Sequence, residues 1–229
     1  MKAIILAGGR GKRLRPITDK IPKPLIPINN KPLIERTIKY LKKYGITEII
    51  ISSGYKSNLI EKFLKKKKNF GCNIVFSIEK TPLGTGGAIR KALRFVDEES
   101  FVVLNGDIVT NIDLKKILKK PNTIAANELK TKFGTMDIRN NKILKFNEKK
   151  DVSNVWMNPG IYHLSADVYR LLPTKGSLEG IVFPILAKKK QLHTVKFKNV
   201  FWHSIDSHKD IESCGNDMKS KKYSKYFRR

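Results

Sequence analysis

A chain of 229 residues can bury a sizeable core, and its 40% of apolar residues is an ordinary globular composition that excludes a disordered or fibrous protein. The formal net charge of +27 creates a field that attracts anions and could hold nucleic acid. The N-terminal apolar run is too short for a signal sequence or a membrane span, and Cys72 and Cys214 form neither a CxxC pair nor a zinc motif, so we expect a cytoplasmic protein.

In the first half of the chain, short apolar runs alternate with segments of helical period. The runs are rich in Ile and Val, and they predict strands over residues 2–7, 48–52, 73–78 and 101–104. The segments between them predict helices over residues 32–44, 58–68 and 86–96. This alternation implies a parallel sheet with helices on both faces, and ligands bind such sheets at the carboxyl ends of the strands.

The second half of the chain has more strands and fewer helices, which indicates a mixed sheet. Strands are predicted over residues 122–129, 135–138, 143–146, 158–163 and 192–197. Helices are predicted over residues 166–172 and 178–188, followed by a last helix from Ser207 into the C-terminal tail. We therefore predict an α/β fold of three-layer, Rossmann-like form with a mixed, mainly parallel sheet. One domain is expected over residues 1–215, with a basic tail over residues 216–229.

The positive charge is spread over the chain. The tail from Asn216 to Arg229 contains six cations and one acid, so most of the net charge lies outside it. The lysine runs at residues 65–68 and 188–190 end helical patterns, where cations favour the helix dipole and solvation. A nucleic-acid-binding protein is the less favoured interpretation, because the sequence has no zinc-finger spacing and no RNP-type aromatic motif.

The stretch LAGGRGKRLRP, residues 6–16, leaves the carboxyl end of the first predicted strand and contains three glycines and four cations. Glycine allows positive φ and a close approach of the backbone, so consecutive N–H groups can face an anion or a base edge. The stretch lacks the third glycine of GxGxxG, and Arg13 stands where a P-loop needs Ser or Thr. By itself it fits a nucleotide-binding loop and a glycine turn with solvated cations about equally.

Seven segments in order resemble the sugar-1-phosphate nucleotidylyltransferase family. They are LAGGRGKRLRPIT, PKPLIPI, EKTPLGTGGAI, LNGDI, FNEK, MNPGIY and SLEGIVFP. With their spacing they extend over nearly the whole chain through Asp210. The resemblance implies an enzyme that joins an NTP to a sugar 1-phosphate, gives an NDP-sugar and pyrophosphate, and uses Mg²⁺. Many relatives assemble, so a homo-oligomer is possible.

The resemblance leaves the substrates open between two groups. PLGTGGAI and the NGD segment look most like guanylyltransferases that act on mannose- or heptose-type phosphates. The WHSID segment resembles branches that use UTP, CTP or dTTP, so these nucleotides with glucose 1-phosphate are the alternative.

The resemblance also assigns residues that contact the nucleotide. Arg13 would steady the leaving pyrophosphate, and Lys23 would reach the α-phosphate. The flanking Pro22 and Pro24 stiffen the backbone, which makes a merely solvated Lys23 the less favoured interpretation. The other nucleotide-binding candidates are Leu6, Ala7, Gly8, Gly9, Gly11, Glu79, Gly84, Gly86 and Gly87. For the last three, which precede a predicted helix, a helix N-terminus with free N–H groups is the competing account.

The sugar-phosphate candidates lie in the second half of the chain. By resemblance they are Glu148, Lys149, Asn158, Gly160 and Glu179. Glu179 could equally be an acid in the first turn of a helix, where the dipole favours it. The proline that usually follows the lysine is replaced by Lys150.

Asp107 and Asp206 are the candidate magnesium ligands. Asp107 follows the apolar run FVVLN, where a hard oxygen ligand could hold Mg²⁺ against phosphates, although it could also cap a turn. Relatives often read W-x-D-I-G near the second ligand, whereas here Ser204 has the aspartate position and Asp206 comes two residues later. A shift of two residues on a strand keeps the same face, so Asp206 can take the role. The departures at Lys150 and Ser204 leave open a catalytically inactive regulatory subunit.

Overall fold

The computed structural model describes residues 1–130, 134–147 and 151–227. Its strands, in chain order, are β1 (Lys2–Ala7), β2 (Pro27–Ile28), β3 (Lys31–Pro32), β4 (Glu48–Ser53), β5 (Asn73–Ile78), β6 (Ser100–Asn105), β7 (Ile108–Thr110), β8 (Thr123–Lys130), β9 (Thr135–Arg139), β10 (Lys142–Asn147), β11 (Asp151–Met157), β12 (Ile161–Ser165), β13 (His193–Phe197) and β14 (Trp202–Ser204). The α-helices are α1 (Ile17–Lys20), α2 (Leu33–Lys43), α3 (Ser57–Lys66), α4 (Gly84–Ala92), α5 (Leu114–Ile117), α6 (Phe183–Lys188) and α7 (His208–Lys219).

The central sheet has eight strands in the order β11-β8-β12-β6-β1-β4-β5, with β13 also paired to β8. The pairs β6–β1, β1–β4 and β4–β5 are parallel, and Ile4 of β1 lies between Ile50 and Val103. The strands β12, β8 and β11 add antiparallel pairs, whereas β13 is parallel to β8. The predicted mixed, mainly parallel sheet is confirmed.

Two apolar cores on opposite faces of the sheet give the three layers. Along β1, Ala3 and Ile5 belong to one core and Ile4 to the other, because successive side chains of a strand point to opposite faces. Helices α2, α3 and α5 pack on the first face, and α4 and α6 pack on the second. Helices packed on both faces hold the sheet in place, and they therefore also hold the carboxyl ends of β1 and β6.

A third apolar core lies beside the carboxyl ends of β1 and β6. Its buried members include Leu14, Ile26, Val109 and Ile205. Each of them is within three residues of one of Arg13, Lys23, Asp107 and Asp206. The third core therefore anchors the four segments that carry the predicted phosphate and metal ligands.

Several predicted boundaries differ from the structure. The helix predicted over residues 86–96 is Gly84–Ala92, so Gly84, Gly86 and Gly87, which were expected to precede a helix, all lie in its first turn. The segment predicted as one α-helix over 178–188 begins with a wider turn over Leu178–Val182 and becomes α-helical at Phe183. The strand predicted over 158–163 is Ile161–Ser165, which leaves Asn158 and Gly160 in the preceding loop.

Helix α7 begins after Ser207, whose side chain caps it together with Asp210 in a capping box. The expected domain boundary between residues 215 and 216 falls inside this helix. After it, the rings of Tyr223 and Phe227 pack on Phe201, with centroids 5.2 and 4.7 Å away. None of the helices in the described part of the chain is long and apolar enough to cross a membrane.

His163 on β12 is a buried histidine whose protonation should make the stability of the fold depend on pH. The side chain is buried, its Nδ1 lies 3.0 Å from the Lys120 carbonyl oxygen, and its Nε2 has no partner among the described residues. Burial lowers the pKa of the imidazole below its ordinary value, because the charged form loses its hydration. The neutral form is thus the one that the fold tolerates.

We expect the free energy of unfolding to be fully retained above about pH 6.5, the usual pKa of unfolded histidine, and to fall below it. In that range the unfolded chain binds a proton that the folded chain excludes, which costs at most about 1.4 kcal/mol per pH unit. Urea denaturation of the wild type and of His163→Gln at pH 7.5 and 5.5 measures this effect. An equal loss in both proteins would show that another group is responsible.

Candidate active site

The glycine loop lies at the carboxyl end of β1, as predicted. Gly11 has a φ of +60°, and a Cβ there would lie 2.9 Å from Cγ2 of Thr18. A Cβ at Gly8 would lie 2.6 Å from Oε1 of Glu79, whereas one at Gly9 would meet no atom within 4 Å. The positive φ therefore favours glycine at Gly11, a side chain at Gly8 would have to displace the carboxylate of Glu79, and the backbone at Gly9 is open to the close approach of a ligand.

Glu79 supports this loop from the end of β5. Its carboxylate accepts hydrogen bonds from the Ser52 hydroxyl, at 3.2 Å, and from the Leu83 N–H, at 2.9 Å. These contacts join the ends of β4 and β5 to the start of α4. The structure thus gives Glu79 a positioning role beside its predicted contact with the nucleotide, which stays a prediction.

Four predicted ligands from four separate segments come together. Nζ of Lys23 lies 2.6 Å from Oδ2 of Asp107 and 3.0 Å from Oδ1 of Asp206. A terminal nitrogen of Arg13 lies 2.9 Å from the same oxygen of Asp206. The N–H of Ile205 donates to the carbonyl oxygen of Asp107 at 2.9 Å, which ties together the two carboxylate loops. The four side chains form one network, as the family resemblance implies.

The Asp206 carboxylate is surrounded by hydrogen-bond donors and positive charges. Burial by itself would raise the pKa of the Asp206 carboxyl, but hydrogen bonds from Lys23 and Ser204 and the charges of Lys23 and Arg13 hold it below its ordinary value. The Ser204 hydroxyl donates to Oδ2 of Asp206 at 2.8 Å. Asp206 is therefore ionised at neutral pH and held in a fixed direction.

The donor set at this point suits a hard divalent cation. Mg²⁺ is usually bound by one or two carboxylates together with substrate phosphates and water. Asp107 and Asp206 supply the two carboxylates, and both already share a cation, the Lys23 ammonium. No group of three or more His, Cys, Asp or Glu side chains suited to a metal is found among the described residues.

A cleft of about 250 Å³ opens above this network. Its lining consists of Leu6, Ala7, Gly9, Gly11, Lys12, Arg13, Leu14, Lys23, Pro24, Gly106, Asp107 and Asp206. It joins the glycine loop of β1 to the loop after β6, where the N–H of Gly106 donates to the carbonyl oxygen of Leu6 at 2.8 Å. Backbone amides, three cations and two carboxylates thus line one cleft, which is the combination that a metal-bound polyphosphate requires.

A second group of predicted residues is joined through the buried Tyr162 of β12. The Tyr162 hydroxyl accepts from the side-chain amide of Asn158, at 2.9 Å, and donates to Oε1 of Glu179, at 3.2 Å. Burial, followed by the nearby Glu179 charge, raises the pKa of Tyr162 well above its ordinary value, so the phenol stays protonated. The sequence did not single out Tyr162, because a lone Tyr in an apolar run has the pattern of a core residue.

Both carboxylate oxygens of Glu179 accept hydrogen bonds, which hold the side chain in place. Its other oxygen, Oε2, accepts from the hydroxyls of Thr85, at 2.5 Å, and Ser177, at 2.9 Å. Gly160 has a φ of +78°, and a Cβ there would lie 2.6 Å from the side-chain amide of Asn105. These residues lie next to the end of β6 and are held by hydrogen bonds and close packing. Their contact with the sugar stays a prediction, and Glu148 and Lys149 lie outside the described residues.

The glycines of α4 have a packing explanation. The N–H of Gly86 donates to the carbonyl oxygen of Gly176 at 2.9 Å, and a Cβ at Gly84 would lie 2.5 Å from that oxygen. A Cβ at Gly87 would lie 2.6 Å from the carbonyl oxygen of Thr174. Close contact with the backbone of residues 173–176 therefore requires glycine at Gly84 and Gly87 and leaves little room for a side chain at Gly86, whether or not this loop also contacts a nucleoside.

The residues that line the cleft lie within a segment that matches a known protein family. The model of the nucleotidyl transferase family matches residues 2–221, which include the cleft and all four members of its charged network. The chain belongs to the sugar-1-phosphate nucleotidylyltransferases. As a nucleotidylyltransferase it is an enzyme, which the sequence also predicted.

Two named relatives are similar to this nucleotidylyltransferase over most of its length. The D-glycero-alpha-D-manno-heptose 1-phosphate guanylyltransferase of Aneurinibacillus thermoaerophilus is 42% identical, over 71% of this chain and 74% of the relative. The mannose-1-phosphate guanyltransferase of Saccharomyces cerevisiae is 36% identical, over 93% of this chain and 63% of that longer protein.

A solved structure agrees with the fold of this nucleotidylyltransferase. HddC from Yersinia pseudotuberculosis has a TM-score of 0.75 and 30% identity, over 95% of this chain and 99% of that one. The same protein complexed with GMP-PN has a TM-score of 0.68 and 28% identity.

Proposed function

We propose that this nucleotidylyltransferase uses GTP and a heptose- or mannose-type 1-phosphate, and that it gives a GDP-sugar and pyrophosphate. The main support is that the relatives are guanylyltransferases by name and that HddC has been crystallised with GMP-PN. The phosphate-binding network from Arg13 to Asp206 supports the chemistry. It does not by itself select the base or the sugar.

The reaction needs positioning and charge neutralisation rather than a protein nucleophile. An oxygen of the sugar phosphate attacks the α-phosphorus, the bond from that phosphorus to the bridging oxygen breaks, and pyrophosphate leaves with the electron pair. Lys23 lies at the inner end of the cleft, with a side chain only 12% exposed, and would face the α-phosphate. Arg13, 76% exposed, lies at the outer end and would face the departing pyrophosphate.

Asp107 and Asp206 would hold Mg²⁺ in this proposal. When bound, the ion would supply positive charge that offsets the negative charge of the phosphates. In the free enzyme the Lys23 ammonium contacts both carboxylates, and Arg13 brings a second positive charge to Asp206. Ser204 would keep Asp206 directed at the cleft through its hydrogen bond.

A pyrophosphate-release screen tests the substrates. We expect the highest kcat/KM with GTP and either D-glycero-α-D-manno-heptose 1-phosphate or mannose 1-phosphate, and a strict requirement for Mg²⁺. The matched reactions use ATP, CTP, UTP and dTTP, and glucose 1-phosphate as the other acceptor. A preference for UTP, dTTP or CTP with glucose 1-phosphate would overturn the guanylyl assignment. A well-folded protein with no turnover in any pair would favour a regulatory subunit.

A further inference from the structure

A second cavity, of about 500 Å³, lies next to the charged network, and Arg13 and Asp206 line both this cavity and the cleft. The ends of β8 and β11 bound it on one side, and β14 and α7 bound it on the other. The predicted nucleotide, sugar and metal contacts include none of its lining residues apart from Arg13 and Asp206. The cavity thus adjoins the site of phosphate transfer, and the predicted contacts do not explain it.

The cavity also adjoins the loop that precedes β12. Met157 lines it and directly precedes the segment that carries the predicted sugar contacts Asn158 and Gly160. The indole N–H of Trp202, another lining residue, donates to the carbonyl oxygen of Pro159 in that segment at 2.9 Å. The cavity therefore lies between a predicted metal ligand and the predicted sugar loop, where an acceptor sugar is expected.

Asn127 is a buried polar side chain in the wall of this cavity. It is only 7% exposed, and its side-chain amide has no hydrogen-bond partner in the described part of the chain. In the register of β8 and β11 it lies directly opposite Met157, so both side chains are on the same face of the sheet. Buried amides are normally hydrogen-bonded. An unpartnered amide that lines a cavity therefore indicates a ligand with polar groups of its own.

The charges around the cavity narrow the chemistry of that ligand. Glu128, Asp206, Asp210 and Asp217 line it, and Arg13 is the one residue with a permanent positive charge that the described part of the chain contributes to its lining. An excess of carboxylates repels a further phosphate and favours hydroxyl groups, which donate hydrogen bonds. The part of a ligand that enters the cavity is therefore a neutral polyol rather than a polyphosphate.

We propose that this cavity takes the exocyclic carbon chain of the acceptor sugar, and that Asn127 is a specificity-determining residue that favours a heptose 1-phosphate over mannose 1-phosphate. The inference rests on the proposed function, since it requires a sugar phosphate beside Asp206. A manno-heptose has one more CHOH group in that chain than mannose, and the Asn127 amide can both donate to and accept from its hydroxyls. A buried polar group discriminates against an analogue that leaves it unpaired.

Steady-state kinetics with GTP and two acceptors, D-glycero-α-D-manno-heptose 1-phosphate and mannose 1-phosphate, tests the assignment. We expect the wild type to have a kcat/KM about 10-fold or more higher with the heptose. Asn127→Leu keeps the shape of the side chain without its hydrogen bonds. It should lower kcat/KM about 10-fold for the heptose and leave the value for mannose within about threefold. Asn127→Ala, which introduces no bulk, should do the same. Asn58→Leu, at an exposed position of α3 outside the cavity, is the matched control.

Several results would overturn the role of Asn127 and leave the proposed function intact. One is a wild type that turns over GTP with mannose 1-phosphate as fast as with the heptose, or faster. Another is an unchanged preference for the heptose in both variants. A third is an equal loss for the two sugars in variants with the urea midpoint of the wild type, since a merely structural residue would affect both alike. No pyrophosphate release from any pair in the screen would overturn the proposed function, and the inference with it.

Discussion

Replacing Asp107 by Asn is expected to lower kcat/KM for nucleotidyl transfer about 10³-fold. The substitution removes one of the two carboxylates that would hold Mg²⁺ and leaves the Lys23 ammonium, which lies 2.6 Å from Asp107, with Asp206 as its counter-charge. An amide keeps the shape of the side chain and remains a neutral oxygen donor, so it binds a hard divalent cation far less strongly. Pyrophosphate release at saturating Mg²⁺ measures the loss.

Asp113→Asn is the matched control for this prediction. Asp113 follows β7 and caps α5 by accepting from the Lys115 N–H at 3.1 Å, and it lies outside the cleft. We expect its activity to be close to that of the wild type. The Asp107→Asn protein should unfold within about 1 kcal/mol of the wild type, since its ion pair is partly exposed. Activity of Asp107→Asn within tenfold of the wild type would remove Asp107 from the metal site.

Replacing Lys23 by Met is expected to reduce kcat by about 10² to 10³-fold, with a smaller change in KM for the nucleotide. Met has nearly the length of Lys but no charge, so the α-phosphate loses the cation at the inner end of the cleft. The two aspartates also lose the ammonium that they share, and two close carboxylates without a common cation repel each other. The effect is concentrated in kcat because negative charge shifts along the phosphates during transfer.

Steady-state kinetics at several Mg²⁺ concentrations separates the loss of positive charge at the α-phosphate from the repulsion between the two carboxylates. If repulsion between the carboxylates is the main effect, added Mg²⁺ should restore part of the lost kcat. If the missing charge at the α-phosphate dominates, the loss should persist at saturating Mg²⁺. Lys20→Met, which changes an exposed lysine outside the cleft, is the control. A Lys23→Met protein with unchanged kcat would place Lys23 outside the reaction.

The chain's large positive charge and its paired aspartates have different functions. The net charge of +27 favours the approach of anionic substrates from a distance. Within the cleft, Asp107 and Asp206 neutralise Lys23 and Arg13 before the substrate arrives. In the proposed function, a divalent cation that enters with the phosphates would balance the charge of the two carboxylates.

The long elements could be predicted from the sequence because their signal is local. The strands β1 and β5 have the predicted bounds, and α2 and α3 differ from the prediction by one or two residues at each end. The pairing of β7 with β14 was not predicted, since three residues are too few to show a period. The strand expected to carry both Ser204 and Asp206 ends at Ser204, so Asp206 lies in the loop after β14 and the two-residue shift along a strand does not apply. The strand β11 was also missed, because its polar residues do not alternate with apolar ones in a regular way.

The sequence by itself determined the family, through seven short segments in order, and it determined the glycine loop and the identity of the charged residues, because each of these lies in a short contiguous segment. Only the tertiary structure brought Arg13, Lys23, Asp107 and Asp206 into one network, since up to 193 residues separate the partners of its ion pairs. It also decided that Asp206 can stand beside Asp107 although Ser204 has the usual aspartate position. The pairing of β14 with β7 places residues 204–206 next to the end of β6, and long-range pairing of this kind leaves no periodic trace in either segment.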